Sequence, residues 1–330
     1  SLGVPFMWRP RPCAVIYLVL HRNHELVTII QLMKVVIARE MLPAGVRELD
    51  DSYTVVTNGL DCGREQLLES VAGADAVVSD PTVAVDEGLL DAAGPQLKVV
   101  ANFAVGTDNI DLDACRARGI VATNTPDVLT NATAELAVGL TLAAARQITG
   151  SERRMRNGEW KGWDPGDYLG FELSGATIGV VGMGRIGRRY AELMSGFGGK
   201  LLYWSRSSKP DVESELTAHR AEMEELLTHS DVVSLHLPSN AETRHLIDAA
   251  ALSLMKPTVV LVNTGRGAVV DGEALADALE AGTIGAAGLD VYEAEPDVPE
   301  RLLDAQNTAL TPHIGSATHK SRDDMARLVA

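Results

Sequence analysis

At 330 residues the chain exceeds what one hydrophobic core commonly supports, so two domains are expected, and its 46% hydrophobic content can fill both. The formal charge of -16, with no cluster of lysines or arginines to offset it, argues against a nucleic-acid partner or an anionic membrane surface. Cys13, Cys62 and Cys115 stand far apart without a CxxC spacing, which indicates neither a zinc site nor a disulfide framework and fits a reducing cytoplasm.

Arg9 and Arg11 precede an apolar run, CAVIYLVL at residues 13–20, that is too short to span a bilayer. It leads into HRNHEL instead of a small-residue cleavage site, which speaks against a signal peptide. Residues 1–32 therefore read as an extension outside the fold, with Met33 opening the first domain.

From there short apolar runs alternate with helical patterns: KVVIARE, YTVVTNG, ADAVVSD, LKVVANF and GIVATNT. Runs without polar alternation suit parallel strands covered on both faces, so the pattern is βαβ and one α/β unit extends to about residue 129. A long helix is expected next, through NATAELAVGLTLAAARQITGSERRMRNGEW as far as Arg156, capped by Thr130 or Asn131. Its small apolar residues should be buried, either in this chain's core or against a second subunit. Six further runs follow: ATIGVVG, KLLYWSR, DVVSLHL, TVVLVNT, GAAGLDV and TALTPHI. They predict a doubly wound sheet whose ligands gather outside the carboxyl ends of its strands.

Gly182, Gly184 and Gly187 form GMGRIG between the run TIGVV and the helical RRYAELM. That context marks a dinucleotide fingerprint, with one glycine for the tight turn, one for backbone approach to pyrophosphate and one for close helix packing. The helix N-terminus adds amide donors and positive partial charge. About twenty residues on, a fold that takes NAD should offer an acidic residue to the ribose; this chain has Ser205, Arg206 and Ser207. An arginine there would pair with the 2'-phosphate of NADP(H) through its planar fork, with the serines as further donors. The alternative is an ordinary polar loop, and the position favours the phosphate.

Arg266, Glu295 and His313 follow three consecutive strand runs. Their convergence on a nucleotide site is what reduction of a 2-oxo acid requires. The arginine holds the carboxylate, the histidine gives a proton to the carbonyl oxygen, and the glutamate keeps the imidazole oriented and charged.

GMGRIG, NTGRG, DVYEAEP and TPHIGSATH resemble the signature segments of the D-isomer-specific 2-hydroxyacid dehydrogenases, and the likeness continues through NFAVGTDNID and TNTPDVLTNATAELA. Within that family, TNTPDVLT, RNGEWKGW and the SRS strand end look most like the glyoxylate and hydroxypyruvate reductases. The resemblance implies a flavodoxin-like substrate domain over 33–129, a Rossmann NAD(P)-binding domain over 130–313 and a return toward the substrate domain over 314–330. It implies the triad just named, with the amides of Val105 and Gly106 joining Arg266 on the substrate carboxylate. It places Met183, Gly184, Arg185, Ile186, Ser205, Arg206, Ser207, Thr264, Gly265 and Arg266 along the cofactor, and Asp290 and Gly315 near its nicotinamide end. Members are usually homodimers joined through the nucleotide domain. Relatives lack a counterpart of residues 1–32 and continue the helix in which Ala330 is the last residue.

The leading expectation is an NADPH-dependent reductase of glyoxylate or hydroxypyruvate. Against it stand an NAD-linked dehydrogenase of another D-2-hydroxy acid, such as lactate or phosphoglycerate, and a nucleotide-sensing corepressor. The strand end at Ser205–Ser207 opposes NAD, and the nearly uncharged loops ANFAVGTD and SDPTVAVD oppose a phosphorylated substrate. Trp160 and Trp163 could close the substrate pocket, or be core aromatics.

Overall fold

The computed structural model describes residues 15–20, 26–49 and 51–330. Of the expected N-terminal extension, residues 1–14 and 21–25 lie outside the described residues, while β1 (Val15–Leu20) and β2 (Leu26–Gln31) pair antiparallel in a sheet of their own.

Contacts divide the chain into two units, Ser1–Pro126 with Arg322–Ala330, and Asp127–Ser321. The changeovers fall at 126/127 and 321/322, where the sequence suggested 129/130 and 313/314. One reason is local: the Ser321 hydroxyl donates to the Val128 carbonyl at 3.1 Å, tying both crossing segments into the second unit.

In the first unit β3 (Met33–Ile37), β4 (Tyr53–Thr57), β5 (Ala76–Ser79), β6 (Val99–Asn102) and β7 (Val121–Thr123) form one parallel sheet in the order β4-β3-β5-β6-β7. The order reverses between β3 and β5, the arrangement of flavodoxin-like doubly wound folds. Val36, Val77, Val100, Leu89 and Leu90 are among its fully buried residues.

The second unit holds β8 (Ile178–Val181), β9 (Leu201–Trp204), β10 (His219–Arg220), β11 (Val232–Leu235), β12 (Val260–Asn263), β13 (Ala286–Leu289) and β14 (Thr308–Leu310). All pair in parallel, in the order β10-β9-β8-β11-β12-β13-β14. β10 is the one strand of this sheet that no apolar run announces: two exposed residues, paired only with β9. The run pattern has a plain cause. Ile178, Val180, Val232, Val260 and Val262 face one core, and Val181, Val233, Leu235 and Leu261 face the other, so both faces of the sheet are covered.

The long helix is broken in two, Thr130–Ala145 and Ile148–Arg156, at Gln147, whose backbone is left-handed with φ 51°. The chain returns here: the Phe171 amide donates to the Ala145 carbonyl at 2.7 Å, and the Gln147 side chain to the Leu169 carbonyl at 2.8 Å. Neither Thr130 nor Asn131 caps the start. Both lie inside the first turn and Leu129 occupies the N-cap without a side-chain bond. The first half, Thr130–Ala145, buries its small residues within the unit, while in Ile148–Arg156 only Gly150 is buried. A Cβ on Gly288 would lie 3.0 Å from the Leu140 side chain, so glycine in β13 is what admits the helix so close to the sheet. Among the described residues no helix is long and apolar enough to cross a membrane.

Candidate active site

β8 ends in the glycine turn. Gly182 has φ +100°, and a Cβ on it would meet the His236 carbonyl at 2.6 Å, so the turn requires glycine on both counts. A Cβ on Gly187 would lie 2.1 Å from the Gly182 carbonyl, which is how the helix Arg185–Met194 packs against its own strand. At Gly184, the N-cap of that helix, nothing of the protein lies within 4 Å of the missing Cβ. Space is kept open there in front of unbonded helix amides, as a pyrophosphate needs.

The side chains of the other fingerprint residues point elsewhere. Met183 is buried at 3% exposure in the core and Ile186 packs against the same cluster, so these two offer only backbone. Arg185 pairs with Asp127 at 2.6 Å.

Beyond β9, Ser205 is buried and its hydroxyl donates inward to the Ser207 carbonyl, so it is not the outward donor that the sequence suggested. Arg206 and Ser207 are exposed, and Arg206 has no ion-pair partner among the described residues. Arg220 closes the strand end from β10, donating to the Ser205 carbonyl from Nε at 3.3 Å and from a terminal nitrogen at 3.2 Å. Sequence reasoning missed this second cation because β10 is too short to show as a run. The strand end thus carries the guanidinium groups of Arg206 and Arg220, with the Glu213 carboxylate beside it, accepting from the Ser208 hydroxyl at 2.8 Å.

At the end of β12, Asn263 is 1% exposed and organises the loop: its Nδ2 donates to the Arg266 carbonyl at 2.9 Å and its Oδ1 accepts from the Gly265 amide at 3.0 Å. Gly265 is pressed against the Leu237 carbonyl, 2.9 Å from where its Cβ would stand. Thr264 is 7% exposed with its hydroxyl buried and unpartnered among the described residues. Arg266 is half-buried, and one of its terminal nitrogens donates to the Gly265 carbonyl at 2.9 Å.

After β13 and β14 the remaining pair meets. His313 Nδ1 lies 2.7 Å from Glu295 Oε2, and the other carboxylate oxygen accepts from the Tyr292 amide at 2.9 Å. Burial works to raise the Glu295 pKa, yet the bonds from His313 and Tyr292 and the charges of His313 and Arg266 outweigh it, holding the carboxyl below its usual range. His313 Nε2 has no partner among the described residues. The histidine itself sits in left-handed backbone, φ 53°, a conformation that costs a non-glycine residue about 1–3 kcal/mol unless its surroundings impose it.

Asp290 imposes it. The carboxylate is 1% exposed and accepts from the Thr311 hydroxyl at 2.6 Å, the Ile314 amide at 2.7 Å and the Gly315 amide at 2.7 Å, bracketing His313 on both sides. The Tyr292 hydroxyl adds a bond to the Thr311 carbonyl at 3.0 Å. Asp290 and Gly315, expected beside the nicotinamide, thus bond to each other, and the carboxylate is spent on the loop that carries the histidine.

In the first unit, the loop after β6 carries Val105 and Gly106, both half-buried. Their carbonyls accept from Asn124 Nδ2 at 2.7 Å and Asn102 Nδ2 at 2.8 Å respectively. Trp160 and Trp163, in the second unit, are 52% and 85% exposed, which removes the core-aromatic reading.

Several features fit a nicotinamide dinucleotide: the open space at Gly184, the buried unpartnered Thr264 hydroxyl and the exposed Arg206. Comparison with known proteins points the same way. The family of the D-isomer specific 2-hydroxyacid dehydrogenase NAD binding domain matches residues 138–315. A glyoxylate reductase of Thermococcus litoralis is 48% identical over 303 residues, 90% of this chain and 91% of the relative. Among solved structures, a glyoxylate reductase from Paecilomyes thermophila superposes with a TM-score of 0.82 at 36% identity, covering 90% of this chain and 93% of that one. An NADPH-dependent glyoxylate/hydroxypyruvate reductase from Sinorhizobium meliloti, solved with NADP and malonate, gives 0.79 at 34% identity over 91% and 92%.

The space at Gly184 yields a test. Gly184→Ala should fold with an unchanged melting temperature, because its methyl meets no protein atom, but should weaken dinucleotide binding by roughly tenfold or more as the methyl stands where phosphate approaches. Calorimetric titration with NADPH and NADH decides it; an unchanged Kd would mean that the phosphates pass elsewhere.

Proposed function

Since the chain belongs to the D-isomer-specific 2-hydroxyacid dehydrogenase family, whose members are NAD(P)-dependent oxidoreductases, we propose that it reduces glyoxylate or hydroxypyruvate with NADPH, giving glycolate or D-glycerate. The observation that carries the reading is the His313–Glu295 pair, its second imidazole nitrogen left without a partner among the described residues, on the strand ends that also present Arg266. Bound reduced nicotinamide supplies the hydride to the carbonyl carbon.

The chain's own residues do the rest. His313, anchored through Nδ1, gives the proton on Nε2 to the carbonyl oxygen as the hydride arrives, and Glu295 stabilises the imidazolium that this requires. Arg266 holds the substrate carboxylate, and in the first unit the amides of Val105 and Gly106 are its other donors. Gly182, Gly184 and Gly187 with the helix they open receive the pyrophosphate, Thr264 and Gly265 line the cofactor, and Arg206 with Ser207 takes the 2'-phosphate. The exposed apolar side chains of Ile148, Met155, Trp160 and Trp163 in the second unit support a homodimer.

NADPH oxidation with glyoxylate, followed by absorbance, should proceed in the wild type, and His313→Ala should lose about 10²- to 10⁴-fold in kcat while its Kd for NADPH stays put. Retained turnover would take the histidine out of the chemistry.

The lowered Glu295 pKa also has a signed consequence. A carboxyl held down stays ionised below the ordinary glutamate value of about 4.3, and its support for the imidazolium is lost only as pH falls through the lower folded value. The acid limb of kcat/KM that disappears in Glu295→Gln, measured by short pH jumps, should therefore lie beneath about 4.3; a Glu295-dependent limb above it would contradict the pairing.

Cofactor choice is tested at Arg206. Its replacement by alanine should cut kcat/KM with NADPH by roughly 10- to 100-fold, the loss of a charged hydrogen bond, with little change for NADH at the same ionic strength. Equal effects on the two cofactors would reduce this strand end to a polar loop.

A further inference from the structure

The loop after β6 contains three successive peptide groups whose carbonyls are all tied. Ala104 O accepts from the Thr125 amide at 2.8 Å, Val105 O from Asn124 Nδ2 at 2.7 Å, and Gly106 O from Asn102 Nδ2 at 2.8 Å. In a trans peptide, a carbonyl and the N–H of the next residue share one plane and point opposite ways. These peptides are trans; among the described residues the cis bond is Glu295–Pro296. Fixing the Ala104 carbonyl therefore aims the Val105 N–H, and fixing the Val105 carbonyl aims the Gly106 N–H. Neither amide has an acceptor among the described residues.

We propose that Asn124 is a positioning residue for carboxylate recognition: by holding the Val105 carbonyl it aims the Gly106 N–H at the carboxylate of the 2-oxo acid. The inference rests on the reading that the Val105 and Gly106 amides receive that group. Donors fixed in advance cost no reorganisation when the anion binds, which is where their strength comes from. Of the three ties, Thr125 acts through its backbone and is out of reach of substitution. Asn102 is fully buried and also bonds Ser79 and Asn109, so its loss would disturb the core of the unit. Asn124 is half-buried, and the Val105 carbonyl is the bond its side chain makes among the described residues. It can be changed alone.

Asn124→Ala removes the donor, and Asn124→Asp replaces it with an oxygen that the Val105 carbonyl repels. In both, KM for glyoxylate and Ki for oxamate, a carboxylate-bearing analogue, should rise together by roughly 10- to 100-fold, the range for one hydrogen bond to a charged group. The Kd for NADPH and the melting temperature should not move. An unchanged KM in a wild type that does turn over glyoxylate would overturn the role of Asn124 and leave the proposed function standing. A rise in KM matched by equal loss of NADPH affinity and of melting temperature would show a merely structural residue, overturning it as well. A wild type inert toward 2-oxo acids would remove the function and this inference together.

Discussion

Everything at the carboxyl end of the second sheet hangs on one buried carboxylate. Asp290 is taken from water almost completely, and burial pushes its pKa up, while three donors from Thr311, Ile314 and Gly315 and the charge of His313 pull the other way. Leaving a carboxylate so placed without partners would be costly, so the loop that supplies them has little freedom. His313 is held in left-handed backbone inside that loop, and from there its Nδ1 meets Glu295. The order of dependence runs from the buried acid to the loop, from the loop to the imidazole, and from the imidazole to its bond with Glu295.

The nucleotide side of the site is built on the opposite economy, absence of atoms. Gly182 and Gly187 lack side chains because backbone carbonyls already fill the space, whereas Gly184 lacks one where the protein has nothing at all. Only the third case leaves open space. Arg206 is comparable, a cation without an ion-pair partner among the described residues of a strongly acidic chain, while Arg188 nearby is enclosed by Glu192, Asp211 and Glu215.

A common device links the two units at the level of design. Buried or half-buried asparagines at strand ends hold backbone in place: Asn263 at the end of β12 around Arg266, Asn102 and Asn124 around Val105 and Gly106. An amide can donate and accept at once without carrying charge, so it fixes a loop without adding a charge of either sign to it.

The sequence by itself indicated the parallel strands of the two larger sheets, because short unalternating apolar runs bounded by turn residues suit strands covered on both faces, and it marked the glycine turn and the residues after the last three strands. It could not show β10, whose two residues carry no apolar signal, or the break at Gln147, which depends on Leu169 and Phe171 returning to the helix end. It offered Ser205 as an outward donor and Asp290 as a cofactor contact, and tertiary structure turned both inward. A residue type and its spacing state which bonds a side chain can make. Only the packed chain decides which partner reaches it first, because desolvation makes each buried polar group take the nearest bond on offer.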